Sequence, residues 1–116
     1  MSRAIEAKIR RALARKGKGE AALEARCVKY LKRCGLVSRK MNGLGFRDWP
    51  DRLILPRRGQ WVGSVPGLWV ELKKPGEAPT ASQAEMHQEL VARGQRVAVI
   101  NNYEAFVALV NGYFNH

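Results

Sequence analysis

Apolar positions in the first third of the chain recur at helical spacing. Ile5, Ile9 and Leu13 lie four apart and predict a helix over residues 2–16, with Ser2 as its cap and Arg and Lys on its other face. Gly17-Lys18-Gly19 interrupts the pattern, so residues 1–19 read as an appendage to a domain spanning 20–116. Leu23, Cys27, Tyr30, Leu31 and Cys34 form the stripe of a second helix over 20–34, closed by Gly35. Glu24 stands four before Val28 and seven before Leu31, so it borders that stripe.

The spacing then shortens to that of strands. Leu36–Met41 predicts a first strand, followed by a loop at Asn42-Gly43-Leu44-Gly45. Arg52–Leu55 predicts a second, with Pro50 at its entrance and Asp51 at its mouth. Arg57–Gln60 reads as a hairpin turn with Trp61-Val62 returning, and Ser64–Gly67 breaks the run again. Trp69–Lys74 is a further strand, ended by Pro75-Gly76. Thr80 or Ser82 then caps a helix to about Arg93, with Gly94 at its end. Gln95–Ile100 is a strand, and Tyr103–Phe114 a closing helix with Phe106, Leu109, Val110 and Phe114 on one stripe. A strand–helix–strand crossover implies a parallel pair, so the fold class is α/β with a mixed sheet flanked by helices.

Composition changes the picture chiefly through charge. The chain of 116 residues carries 21 Lys and Arg against 10 Asp and Glu, a net +11. Residues 1–40 hold 13 of the basic residues and three of the acids, so nearly all the excess lies there. Such clustering points to a polyanion, most simply nucleic acid, with Arg10, Arg11, Arg15, Lys16, Lys18, Lys40, Arg47 and Lys74 as candidate contacts. The appendage then reads as a DNA-contacting arm, a dimer element or a partly disordered segment. A membrane partner fits less well, because the first helix has few large apolar residues to insert. No apolar run approaches a membrane span or a signal peptide, which makes a cytoplasmic location the expectation. Cys27 and Cys34 lie about 10 Å apart along a helix, too far for a disulfide, and the two histidines have no ligand-like spacing to them. Buried thiols are the expectation. His87 reads as a surface or partner-facing residue, and the three tryptophans as packing residues.

The stretch with candidate chemistry is Trp69-Val70-Glu71-Leu72-Lys73-Lys74. Alternation places Glu71 and Lys73 on one face and Val70 and Leu72 on the other. A carboxylate can hold a divalent cation, while the adjacent ammonium orients water or stabilises charge on a phosphate. Glu-x-Lys alone usually marks a solvated ion pair, so a second acid is needed, and Asp51 is the candidate.

Glu24 on a helix, then Pro50-Asp51, then Glu71-Leu72-Lys73 resembles the PD-(D/E)xK nuclease superfamily. More narrowly, the chain resembles the stand-alone phage and bacterial form of the VRR-NUC family. Trp49-Pro50-Asp51-Arg52, Glu71–Gly76, Gln83 and the Gly94–Ile100 segment carry the likeness, over roughly residues 20–104. The resemblance implies a restriction-endonuclease-like core in the order αβββαβ. It also implies Mg²⁺ or Mn²⁺ held by Asp51, Glu71 and the carbonyl of Leu72. Lys73 would act on the water, Glu24 on metal or water from outside the ligand shell, and Gln83 on the positioning of the site. One departure is Asp48, where the family usually has Gly. The activity implied is metal-dependent, structure-selective DNA endonuclease cleavage by a homodimer, resembling resolution of four-way junctions. Flap or end trimming and a non-catalytic basic DNA-binding module are the competing readings.

Overall fold

A computed structural model describes residues 3–43, 45–59 and 67–114, with residues 5–18 described by backbone alone. Helix α1 (Arg3–Arg33) is followed by strands β1 (Val37–Lys40), β2 (Arg52–Leu55) and β3 (Leu68–Leu72). Helix α2 (Ala81–Ala92), strand β4 (Arg96–Ile100) and helix α3 (Tyr103–Phe114) complete the order. The strands lie β1-β2-β3-β4, the first three antiparallel and the β3/β4 pair parallel through the α2 crossover. The mixed α/β architecture anticipated from the sequence is the one observed.

The expected break after the first helix is corrected. α1 runs as a single helix of 31 residues through Gly17-Lys18-Gly19. Each glycine costs a helix interior about 1 kcal/mol relative to alanine, which weakens a helix without forbidding it. The segment from 20 onward is anchored by buried Cys27 and Leu31, so the nucleus is already formed where the glycines extend it. Ser2 and the Ile5, Ile9, Leu13 stripe lie outside the described residues and side chains, as do Leu44 and the Gln60–Val62 return. The side chains of Arg10, Arg11, Arg15, Lys16 and Lys18 lie outside them as well.

Both internal helix ends close as the glycines predict. Gly35 (φ 74°) follows α1, and the Leu36 amide donates to the Leu31 carbonyl at 3.0 Å; Gly94 (φ 84°) follows α2, with Gln95 donating to Leu90 at 3.0 Å. Gln95 is thereby a helix closer rather than the first residue of β4. Thr80, rather than Ser82, caps α2: its hydroxyl accepts from the Gln83 amide at 3.1 Å, and the Gln83 side chain accepts from the Thr80 amide at 2.9 Å.

The core lies between the sheet and the α1/α3 pair. Cys27 and Leu31 of α1, and Phe106, Val110 and Phe114 of α3, pack on Ile54, Leu68, Val70, Leu72 and Ile100. Both cysteines are free, and burial pushes the Cys27 thiol up to about 12, which makes it an inert apolar group. α2 packs against β4. Because β3 is buried along its whole length, Trp69 and Glu71 face a covered side too. Arg57, expected in a turn, donates to the Cys34 carbonyl at 2.7 Å and the Phe114 carbonyl at 3.4 Å, placing a cation at the C-terminal ends of α1 and α3. Among the described residues no helix is long and apolar enough to cross a membrane.

Candidate active site

The sheet register explains why two distant acids meet. β2 and β3 pair Arg52 with Val70, Leu53 with Trp69 and Ile54 with Leu68. One further step of that antiparallel register sets Asp51 opposite Glu71. Directly opposed residues project to the same face with Cβ atoms about 5 Å apart. The Met41 amide donates to the Asp51 carbonyl at 2.8 Å, continuing the β1/β2 ladder past its end and fixing Asp51 from the other side.

The Asp51 carboxylate is held at both oxygens. Oδ2 accepts from the Leu72 amide at 2.6 Å, and Oδ1 accepts from the Asn42 side-chain amide. Asn42 was expected only as part of a loop; its amide instead orients the acid. Its own Oδ1 is buried without a hydrogen-bond partner among the described residues. Glu71 is 2% exposed and hydrogen-bonded to Asp51. Burial, then the neighbouring Asp51 charge, then that hydrogen bond push its carboxyl up to about 8. Glu71 is therefore protonated near neutral pH.

His87 is corrected from a surface position to a place in the site. Its Nε2 lies 3.4 Å from Glu71 Oε1, and its side chain is largely buried. Burial first, and the Lys73 charge second, lower its pKa, so the ring is neutral at pH 7. The clue lay in the helix spacing: His87 stands three before Leu90, the buried residue of α2, and so on its inner side.

Lys73 follows β3 on the Glu71 face, its amide donating to the Ile100 carbonyl at 2.9 Å. Its charge acts on Glu71, His87 and Glu20, placing the ammonium among them. Lys74 turns the other way and lies against α1, where a Cβ on Gly19 would sit 3.6 Å from its side chain.

The helix acid in this cluster is Glu20. Burial raises its pKa, Lys73 lowers it, and Glu77 and Asp51 raise it further. Glu24, one turn later, is taken up elsewhere: its carboxylate accepts from Arg52 at 2.7 Å and Lys40 at 3.4 Å. Residues 20 and 24 share a helix face, so sequence spacing alone could not separate them. Gln83 is likewise occupied, its side chain closing the α2 capping box. Lys40 and Arg47 are exposed, and Lys73, Lys74 and Arg26 line a groove of about 330 Å³ between α1 and the start of α3.

Among the described residues, no group of three His, Cys, Asp or Glu converges to hold a metal. The donor set nevertheless fits a hard cation that keeps several waters: two apposed carboxyl groups, one of them protonated because burial and Asp51 outweigh the Lys73 charge, beside an amide oxygen that a bound water could satisfy.

No protein-family model matches the chain. The chain is 32% identical over 85 residues to p44, a protein named as a candidate nuclease, of Acyrthosiphon pisum secondary endosymbiont phage 1. That match covers 73% of this chain and 85% of the phage protein. The fold is similar to that of a solved VRR_NUC domain with a TM-score of 0.69 and 23% identity, covering 83% of this chain and 98% of the domain.

Proposed function

The chain belongs to the VRR-NUC family of nucleases, and on that premise we propose that it is a divalent-cation-dependent endonuclease selective for branched DNA. The observation that carries the reading is the Asp51–Glu71 cross-strand pair beside Lys73. Asp51, Glu71 and the Leu72 carbonyl would hold Mg²⁺ or Mn²⁺. When bound, the cation supplies Lewis acidity to the phosphate and lowers the pKa of an attacking water.

The remaining work belongs to the chain's own side chains. The Leu72 amide and Asn42 fix Asp51, so its oxygens need not reorganise as charge develops. His87 holds the Glu71 carboxylate at Oε1. Lys73 orients the water and meets negative charge accumulating on the phosphate. Glu20 accepts a hydrogen bond from that water across the cluster. Lys74, Arg26, Lys40 and Arg47 offer the DNA backbone positive charge, as do the basic residues of α1. A homodimer would supply the two symmetric cuts that a four-way junction requires.

Labelled duplex, flap and four-way junction DNA, each incubated with Mg²⁺, Mn²⁺ or EDTA, provide the test. Metal-dependent cutting of branched DNA ahead of duplex is expected. Release of terminal nucleotides alone would indicate an end-trimming enzyme. Tight binding without cleavage under any divalent cation would indicate a DNA-binding module and sink the proposal.

A further inference from the structure

A row of aromatic rings leads away from the acids. Trp69 precedes Glu71 by two residues on the same strand face, and its indole N–H donates to Gln95 Oε1 at 3.0 Å. Trp49 precedes Asp51 by two and leans on Trp69, their centroids 5.4 Å apart. Phe46 meets Trp49 edge to face at 5.5 Å. The row is thus braced on Trp69 of β3, the strand that carries Glu71. Two successive turns hold the loop: Phe46 donates to Gly43 at 2.9 Å, and Trp49 donates to Phe46 at 3.0 Å.

Phe46 ends this row 50% exposed, and the hydrophobic core does not use it. An edge-to-face contact leaves at least one face of the phenyl ring uncovered by Trp49. Gly45, Phe46, Arg47, Asp48, Trp49 and Met86 line a groove of about 430 Å³ beside it. Met86 adjoins His87, so the groove borders the site on the α2 side. Asp51 is five positions on from Phe46, which limits their Cα separation to about 18 Å, or roughly five base steps of DNA.

We propose that Phe46 and its groove receive an unpaired base at a DNA branch, stacking it within a few nucleotides of the scissile phosphate. The inference rests on the nuclease reading above and specifies how branched DNA would be told from duplex. The occupant follows from position and charge. An exposed ring with an exposed guanidinium beside it at Arg47, bordering the proposed Asp51–Glu71–Lys73 site, suits a base with its phosphate. Inside a duplex a paired base keeps both faces stacked on its neighbours, so a base there has no face to offer the ring.

The test compares the parent protein with Phe46→Ala and Phe46→Trp on a four-way junction, a flap and a flush duplex, with 2-aminopurine at the branch. Ca²⁺ replaces Mg²⁺ to limit cutting during binding. Truncation should weaken branched-DNA binding about tenfold, change duplex binding less than twofold and abolish the 2-aminopurine quench. Phe46→Trp should restore all three. Because Phe46 is half exposed, both variants should melt with the parent. Equal loss on duplex and branch, or no change while the parent binds branched DNA, overturns the proposal alone. Loss of a dimer in sedimentation, with uniform loss of binding, would reassign Phe46 to a subunit contact and overturn it too. A parent protein that neither binds nor cuts DNA removes the nuclease reading, and this proposal with it.

Discussion

Glu20 and Glu24 lie one helical turn apart, yet the structure gives them separate work, and isosteric Gln variants should separate the two. Glu24→Gln removes the charge that accepts from Arg52 at 2.7 Å in a mostly buried setting. A hydrogen bond to a charged group contributes about 1.5–3 kcal/mol, and Gln retains one acceptor, so a loss of about 2 kcal/mol is expected. For a chain of this size that is roughly an 8 °C fall in Tm. Cleavage per folded molecule should change little, since no hydrogen bond or ion pair found for Glu24 reaches Asp51, Glu71 or Lys73. Glu20→Gln should behave in the opposite sense. Burial, Glu77 and Asp51 together outweigh the Lys73 charge and raise its pKa, so neutralising it should leave Tm unchanged or raise it. Loss of an outer-shell partner of a metal site typically costs 10–100-fold in activity, and single-turnover cleavage should fall by about that factor. The assays are thermal melting and single-turnover cleavage on one junction substrate. Glu24→Gln that melts with the parent but does not cut would refute the assignment and return the role to Glu24.

Three further outcomes follow from the same geometry. Lys73→Ala should leave cation and DNA binding nearly intact while single-turnover cleavage falls on the order of 10²–10³-fold; a rate within a few-fold of the parent would make Lys73 an ordinary surface lysine. Without metal, the folded state keeps a proton on Glu71 that the unfolded chain has released. Stability should therefore fall as pH rises from 6.5 to 8, by at most about 1.4 kcal/mol per pH unit; His87, whose pKa is lowered, acts in the opposite sense only below its ordinary value of 6.5. A melting slope that survives Glu71→Gln would trace the effect to another group. Gly19→Ala should raise stability by about 0.5–1 kcal/mol, since the added Cβ meets only the Lys74 side chain at 3.6 Å; a lower Tm would mean that the chain turns at Gly17–Gly19 in solution.

Much of this site was legible because alternation and turn residues act locally. Pro50 and the short apolar run after it place Asp51 at a strand mouth, and the Glu-x-Lys alternation places Glu71 with Lys73. What the sequence withheld is set by packing across elements. Asn42 looks like any polar loop residue until the β1/β2 register carries Met41 onto Asp51 and the next residue's side-chain amide into reach. His87 looked like a surface histidine because the low apolar content of α2 hides which side it buries. Gln83, placed in the site by resemblance, also stands three after Thr80, the signature of the capping box it closes. The glycines that seemed to divide α1 supply only a local penalty, which an anchored helix absorbs.

The protonated Glu71 connects stability to chemistry. A glutamate buried on a central strand beside a second carboxylate cannot carry its charge cheaply, and a Gln there would keep most of the hydrogen bonding without the repulsion. Stability alone therefore gives no reason for an acid at that position. The Leu72 amide and Asn42 sharpen the point: both donate to Asp51 and so hold a negative charge against Glu71 instead of moving it away. An arrangement that concentrates negative charge in a buried place, with the Lys73 ammonium alongside and an amide oxygen that finds no partner among the described residues, is destabilising by itself. On the proposed function it would become favourable when a doubly charged ion displaces the Glu71 proton and brings water to that oxygen. Cation affinity should accordingly rise steeply with pH up to about 8, because each ion bound below that value must expel a proton. Calorimetry in two buffers of different ionisation enthalpy would measure that proton directly, and binding without proton release at pH 6.5 would place the ion elsewhere.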